Sequence, residues 1–224
     1  MLPSALPKLT ILWAFASVAM WVLAWLLRRE WCSPFSWYVY TCALQEAWQW
    51  GGTIAFLLGL KFPWRTVVYD PWLVLQFAGY ALVACIVAQY AWLTLRRTCP
   101  LPGEFPLVSG IVAIALASIA YMLSRWQIDP DARPEIRWSQ GCAFVLLWLL
   151  VCVYLAASYY VQPACNRLPR DIMRGLIATF GVAWITSCLR SYMPFTREQC
   201  WCLDLSVQLA AVSYWTYSIR KEKP

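Results

Sequence analysis

The chain has 224 residues, of which 62% are hydrophobic and 13% are charged, and its formal net charge is +7. A soluble domain with so few polar side chains could not cover its surface, so we expect an integral membrane protein. Histidine is absent, which removes the commonest metal ligand, the usual haem ligand and the commonest general acid or base. The positive charge gathers at the ends of apolar segments, as membrane topology requires, and no nucleic-acid partner is expected.

Seven apolar segments follow one another along the chain, separated by short turns that are rich in Pro, Arg and Trp. Each is roughly 18 to 26 residues long, which is about enough to cross a hydrocarbon layer of ~30 Å as a helix. The predicted fold class is therefore all-α, with one domain over residues 1–224 that forms a polytopic transmembrane bundle of seven helices. The predicted spans are 9–27, 36–60, 72–95, 107–126, 141–161, 172–193 and 201–219.

The distribution of basic residues predicts the orientation of this bundle. Arginine doublets follow spans one and three directly, and a basic tail follows span seven. Because Lys and Arg accumulate on the cytoplasmic side, we expect the N-terminus outside and the C-terminus in the cytoplasm. A multi-pass protein of the bacterial inner membrane fits this plan.

Tryptophan occurs sixteen times and falls mostly near the predicted span ends, as in the aromatic belts at membrane interfaces. Trp215, for example, is expected at the inner rim. Four tryptophans lie deeper, where they either fill core volume or line a ligand cavity. They are Trp48, Trp50, Trp148 and Trp184.

Ten cysteines are present, and those inside the spans are expected to act as small hydrophobic residues. Cys142, Cys200 and Cys202 fall at the face predicted to be outside, where a disulfide is possible. The Cys200-Trp201-Cys202 spacing is only a weak metal signal without a second cysteine pair or a histidine. No metal site is predicted.

Ionisable residues inside the spans are the best functional indicators in a chain of this kind, because a charge in the hydrocarbon region must face a partner or water. Glu46 lies near the middle of span two. Asp204 lies about one turn inside span seven, and Gln208 follows one turn deeper. We expect Glu46 to face the bundle interior and either to hydrogen-bond to Gln49 and Gln76 or to be protonated.

The rise of 1.5 Å per residue places several of these groups at matching depths on antiparallel neighbours. Arg190 and Asp204 are predicted to pair across the turn between spans six and seven. Together these side chains predict one outward-facing polar pocket built from spans two, three, six and seven; the alternative is that they only join helices to one another. The candidate pocket residues are Glu46, Gln49, Gln76, Arg190, Asp204 and Gln208, with aromatic walls from Trp48, Trp50, Tyr80 and Trp184.

Two resemblances accompany this pattern. Residues 203–208 resemble the segment of microbial rhodopsins that carries the retinal lysine, but Gln208 stands in the place of that lysine and no predicted span contains another. A Schiff base with retinal therefore cannot form, and we interpret the match as coincidental. The overall plan, with Tyr- and Trp-rich second and third spans, is similar to uncharacterised small seven-helix integral membrane proteins of bacteria, which transfers no site. No cofactor is predicted.

Catalysis is not expected. An intramembrane aspartyl protease needs two facing aspartates, whereas the predicted spans contain only Asp204, and membrane serine or zinc enzymes normally use histidine. We predict a non-enzymatic membrane protein, foremost a structural or accessory subunit of a larger membrane assembly. The alternative is a small-solute or proton-coupled carrier or receptor that uses the polar pocket around Glu46 and Asp204. The expected partners are the lipid bilayer and either other membrane subunits or a second copy of the chain.

Overall fold

The computed structural model describes residues 6–28, 33–60, 63, 65–98, 134–160, 167–192 and 197–222. Within these ranges the regular elements are helices and no strand occurs, so the all-α class is confirmed for them. A π-helical turn, Arg65–Tyr69, leads directly into the third helix. The α-helices are α1 (Leu6–Leu26), α2 (Pro34–Leu57), α3 (Asp70–Thr98), α4 (Pro134–Tyr160), α5 (Arg167–Tyr192) and α6 (Arg197–Glu222).

These helices coincide with six of the seven predicted spans. The fourth span, 107–126, lies outside the described residues. Helix α5 begins at Arg167, five residues before the predicted start, so Asp171 lies inside a helix and not at its margin. Asp171 therefore belongs to the interior of the bundle, where it is buried.

Local sequence signals account for the ends of α2. The helix starts after Ser33, which has an extended backbone, and Pro34 occupies its first position, where the missing N–H leaves no hydrogen bond unmade. It finishes at Leu57, and Gly59 adopts a left-handed conformation with φ of 73°. A residue without a Cβ takes that conformation at no steric cost, which lets the chain turn away from the helix.

The described helices form a closed ring in chain order. Each packs against its neighbours in the chain, and α6 packs against α1. Helices α3 and α4 run parallel: the rings of Phe77 and Trp138 lie 5.0 Å apart near the start of both helices, and Tyr90 lies near Tyr154 towards the other end. We call the end of the ring where α3 and α6 begin the Trp72 end, and the opposite one the Asp171 end.

The outer surface of the ring is apolar. Phe15, Phe56 and Trp148 are 63%, 67% and 57% exposed. Three helical stretches, Leu9–Leu26, Val67–Leu93 and Trp138–Leu155, are long and apolar enough to cross a membrane. An exposed apolar surface of this extent is unfavourable in water and suits contact with lipid.

The interior of the ring differs between its two halves. Towards the Asp171 end, side chains from all six helices form a packed hydrophobic core. Its members include Leu23, Val39, Val83, Leu150, Met173, Leu176 and Val212, each at 1% exposure or less. Towards the Trp72 end, the interior contains a cavity. The polar residues predicted for a pocket fall in this second half.

Trp215, which the sequence predicts at the inner rim, belongs to the packed half of the ring and faces its interior. Its side chain is 1% exposed and lies edge-on to Phe35, with the ring centroids 5.2 Å apart. It fits there because Gly175 on α5 lacks a side chain: a Cβ at that position would lie 2.3 Å from Nε1 of Trp215. Depth along the chain alone did not reveal this close helix contact.

Candidate functional site

A cavity of about 390 Å³ lies inside the ring. This volume is within the range of pockets that bind small molecules. The cavity extends from Trp72 and Trp201 at one end to Met20, Tyr38 and Trp215 above the packed core. Its lining residues are Trp13, Met20, Tyr38, Cys42, Glu46, Gln49, Trp72, Gln76, Thr179, Ala183, Trp201, Asp204, Leu205, Gln208 and Trp215.

Glu46 joins three helices within this cavity. Its Oε2 accepts hydrogen bonds from Nε1 of Trp13 at 2.5 Å and from Oγ of Ser17 at 2.9 Å. Its Oε1 lies 3.4 Å from Nε2 of Gln208. The carboxylate on α2 is therefore held by two donors from α1 and one from α6, and it faces the interior. Its donors are not the glutamines that the sequence suggested.

A pair of stacked tryptophans fixes the position of this carboxylate. Trp13 and Ser17 are four residues apart, so they share a face of α1, and Glu46 and Trp50 are related in the same way on α2. The rings of Trp13 and Trp50 stack with centroids 4.1 Å apart and planes 11° apart. Nε1 of Trp50 donates to Oγ of Ser17 at 3.0 Å. Helices α1 and α2 are thus joined by a polar contact and an aromatic contact at the same level.

Helix α1 was not expected to contribute to the pocket. The helix is so apolar overall that it reads as a simple membrane anchor. On one of its faces, however, Trp13, Ser17 and Met20 recur at helical spacing. That recurrence was the available signal, because a hydroxyl and an indole N–H on one face of an apolar span can donate to a buried acceptor.

Asp204 is the second acidic residue of the cavity. Its Oδ1 accepts a hydrogen bond from Oγ1 of Thr186 at 2.8 Å, and Thr186 is 1% exposed. The predicted partner of Asp204 was Arg190, whose side chain lies outside the described residues, so this pairing stays a prediction. Cys200 is buried against Thr186, with Sγ 3.8 Å from the carbonyl oxygen.

Gln76 links the cavity to α4. Its Nε2 donates to Oη of Tyr80 at 2.9 Å, and Oη of Tyr80 lies 3.0 Å from Oγ of Ser139. Its Oε1 is buried and has no hydrogen-bond partner within the described part of the chain. The same holds for Nε1 of Trp72 and Nε1 of Trp215. Three lining residues therefore carry buried polar atoms whose hydrogen-bonding capacity is unused, an arrangement that calls for a physical reason.

The predicted aromatic walls lie elsewhere. Trp48 and Trp184 point outward, 42% and 37% exposed, and Nε1 of Trp48 donates to the carbonyl of Val67. Trp50 stacks on Trp13, and the hydroxyl of Tyr80 on α3 contacts that of Ser139 on α4. A helix turns about 100° per residue, so neighbours of an inward-facing residue face other directions, and depth does not determine which. The rings that do line the cavity are those of Trp13, Tyr38, Trp72, Trp201 and Trp215.

The lining of the cavity contains two acidic residues, Glu46 and Asp204, and no Lys or Arg among the residues that the structure describes. Within the described ranges no group of three or more Cys, Asp or Glu residues comes close enough to hold a metal ion. Cys142, Cys200 and Cys202, for which a disulfide was considered, are free thiols.

A buried carboxylate that the sequence did not predict lies at the opposite end. Asp171 is 4% exposed and accepts hydrogen bonds from Oη of Tyr214 and, at 2.9 Å, from Oγ of Ser218. Nη1 of Arg174 lies 3.5 Å from it, and Nε of Arg174 donates to Oη of Tyr154 at 2.8 Å. We call these five residues the Asp171 network. It joins α4, α5 and α6, and none of its members lines the cavity.

The geometry can be set beside known proteins. No protein-family model, no curated protein and no solved structure matches this chain. The residues of the cavity are therefore the basis for any proposal about its function.

Proposed function

We propose that this protein is a multi-pass membrane protein that binds a small solute in the Glu46 cavity, as a carrier or a receptor. The observation that carries the proposal is the environment of Glu46. The carboxylate borders a cavity of about 390 Å³, and its hydrogen-bond partners in the described structure are neutral. A carboxylate inside a membrane bundle is costly, and bordering a cavity is typical of solute and proton pathways.

The bundle geometry agrees with this proposal. Parallel packing of α3 and α4 is what a seven-span plan predicts, because one span then separates them in the chain. The N-terminal end of α1 lies on the same side as Trp72, which the basic residues predict to be outside. The packed core lies at the Asp171 end of the cavity, so we expect a solute to enter from the Trp72 end.

Solute binding can be tested on purified protein in lipid nanodiscs. A panel of amines, amino acids, sugars and carboxylates is added, and the thermal unfolding midpoint and tryptophan fluorescence are recorded. We expect at least one solute to raise the midpoint saturably, because a ligand that binds only the folded state stabilises it. Glu46→Gln should weaken that effect about tenfold or more, since a charged hydrogen-bond partner is lost.

The matched control is Asp171→Asn, which changes the carboxylate of the Asp171 network in the same way, at a residue that does not line the cavity. It should lower stability and leave solute binding unchanged. The proposal fails if no solute in the panel shifts the wild-type protein, or if the shift is equal in Glu46→Gln. Co-purification of stoichiometric membrane subunits in the absence of any solute effect would instead favour an accessory subunit.

A further inference from the structure

We infer that the solute of the Glu46 cavity is a small organic ammonium ion, an inference that rests on the proposed function. The first observation is charge. The carboxylate of Glu46 borders the cavity and accepts hydrogen bonds from neutral donors, so a cation is favoured beside it and an anion is repelled. Glu46 is the centre of the proposal, because its donors Trp13, Ser17 and Gln208 are neutral and leave its charge for a ligand.

The second observation is the aromatic lining. Indole and phenol rings surround the cavity above and below the level of Glu46, from Trp72 and Trp201 to Tyr38 and Trp215. The faces of such rings attract ammonium groups, and the attraction grows when water is excluded. The same rings pack against the apolar part of an amine, whereas a hydrated metal ion would gain little from them.

The third observation is the set of unused polar atoms. Oε1 of Gln76 is a buried acceptor without a partner in the described part of the chain, while its Nε2 is engaged by Tyr80. An ammonium group carries N–H donors that could serve both this amide oxygen and the carboxylate of Glu46. The buried Nε1 of Trp72, one helical turn away, offers a donor to a polar atom elsewhere on the solute. A simple apolar ligand would leave these atoms unused.

The inference is tested with three probes of nearly equal size that differ in charge. Butylammonium is the cation, 1-butanol is its neutral isostere and butyrate is the anion. Each is titrated into the protein in nanodiscs, and the tryptophan fluorescence gives the concentration at half-saturation. We expect half-saturation by butylammonium at a concentration about tenfold or more below that of 1-butanol, with the weakest response to butyrate. In Glu46→Gln the preference for the cation should disappear, and in Asp171→Asn it should persist.

Three results would contradict the inference that the solute is a cation. If 1-butanol or butyrate binds as well as butylammonium and binding depends on Glu46, the cation inference is wrong and the proposed solute site stands. If butylammonium does not bind, the cation inference is wrong, and the wider solute panel then decides the proposed function. If the cation preference survives in Glu46→Gln, this carboxylate is not its origin and the inference fails.

Discussion

Each half of the helical ring contains a carboxylate that accepts hydrogen bonds from another helix, but the surroundings of the two carboxylates differ. In the Asp171 half, the carboxylate has two hydroxyl donors and an arginine, and its neighbours Ile172 and Met173 belong to the packed hydrophobic core. In the Glu46 half, the donors are neutral, and the carboxylate borders open space with unused polar atoms beside it.

This difference separates a structural role from a binding role. A carboxylate with a cation and several donors is fully satisfied, so its contribution is to hold helices together. A carboxylate with neutral donors next to a cavity retains its ability to attract a ligand. We therefore expect mutations in the Asp171 half to lower stability and mutations in the Glu46 half to weaken binding.

The largest effect on stability is expected from Asp171→Ala. The change leaves the buried hydroxyl of Ser218 and the half-buried hydroxyl of Tyr214 without their acceptor, and it leaves the half-exposed Arg174 without its carboxylate. We expect a loss of about 3 kcal/mol in the free energy of unfolding, measured by denaturant titration of the protein in detergent micelles. A loss below about 1 kcal/mol would show that the Asp171 network does not hold the Asp171 half together.

A second prediction concerns the contact between α5 and α6. Gly175→Ala would place a Cβ 2.3 Å from Nε1 of Trp215, so the indole or the helix must move. We expect a destabilisation of about 1 to 3 kcal/mol and a shift of the tryptophan emission spectrum.

Gly181→Ala is the matched control on the same helix, because its nearest neighbour would be Cδ1 of Leu147 at 3.9 Å, an ordinary contact distance. Replacing glycine by alanine within a helix is otherwise favourable, so this variant should be as stable as the wild type or more so. Equal behaviour of the two variants would contradict the close approach at Gly175.

Part of this structure could be predicted from the sequence, and part could not. Apolar length predicted where six helices lie, because burial in lipid requires about twenty apolar residues per helix. The sequence also indicated Glu46 and Asp204 as candidate site residues, because a charged side chain inside a span must face a partner or water. The sequence could not indicate that Asp171 lies in a helix, since the prolines before it predicted a loop up to that residue, nor that Trp215 lies against Gly175.

Rotation about the helix axis was the main missing quantity. Glu46, Gln49, Gln76, Asp204 and Gln208 do line one cavity, and matched depth on antiparallel helices was enough to group them. The walls depended on direction as well as depth, and Trp48 and Trp184 face outward where Trp13 and Trp201 line the cavity. Only packing between helices, which involves residues distant in the chain, determines this direction.

A smaller effect is expected when one donor to Glu46 is removed. Trp13→Phe keeps an aromatic ring against Trp50 and removes the indole N–H that binds Oε2 of Glu46. We expect a loss of about 1 kcal/mol in the free energy of unfolding, because Ser17 and Gln208 remain as donors. Near-ultraviolet circular dichroism should report the loss of the tryptophan pair. An effect as large as that of Asp171→Ala would mean that both halves serve stability alone.

The most direct test of the central claim measures stability and binding together in Glu46→Gln and Asp171→Asn. Both changes replace a hydrogen-bonded carboxylate by an amide of similar shape. The account predicts that Glu46→Gln changes the free energy of unfolding by less than about 1 kcal/mol and abolishes the preference for butylammonium over 1-butanol. It predicts that Asp171→Asn lowers the free energy of unfolding by more than that and keeps the preference. A Glu46→Gln protein that is the less stable of the two and still prefers the cation would contradict it.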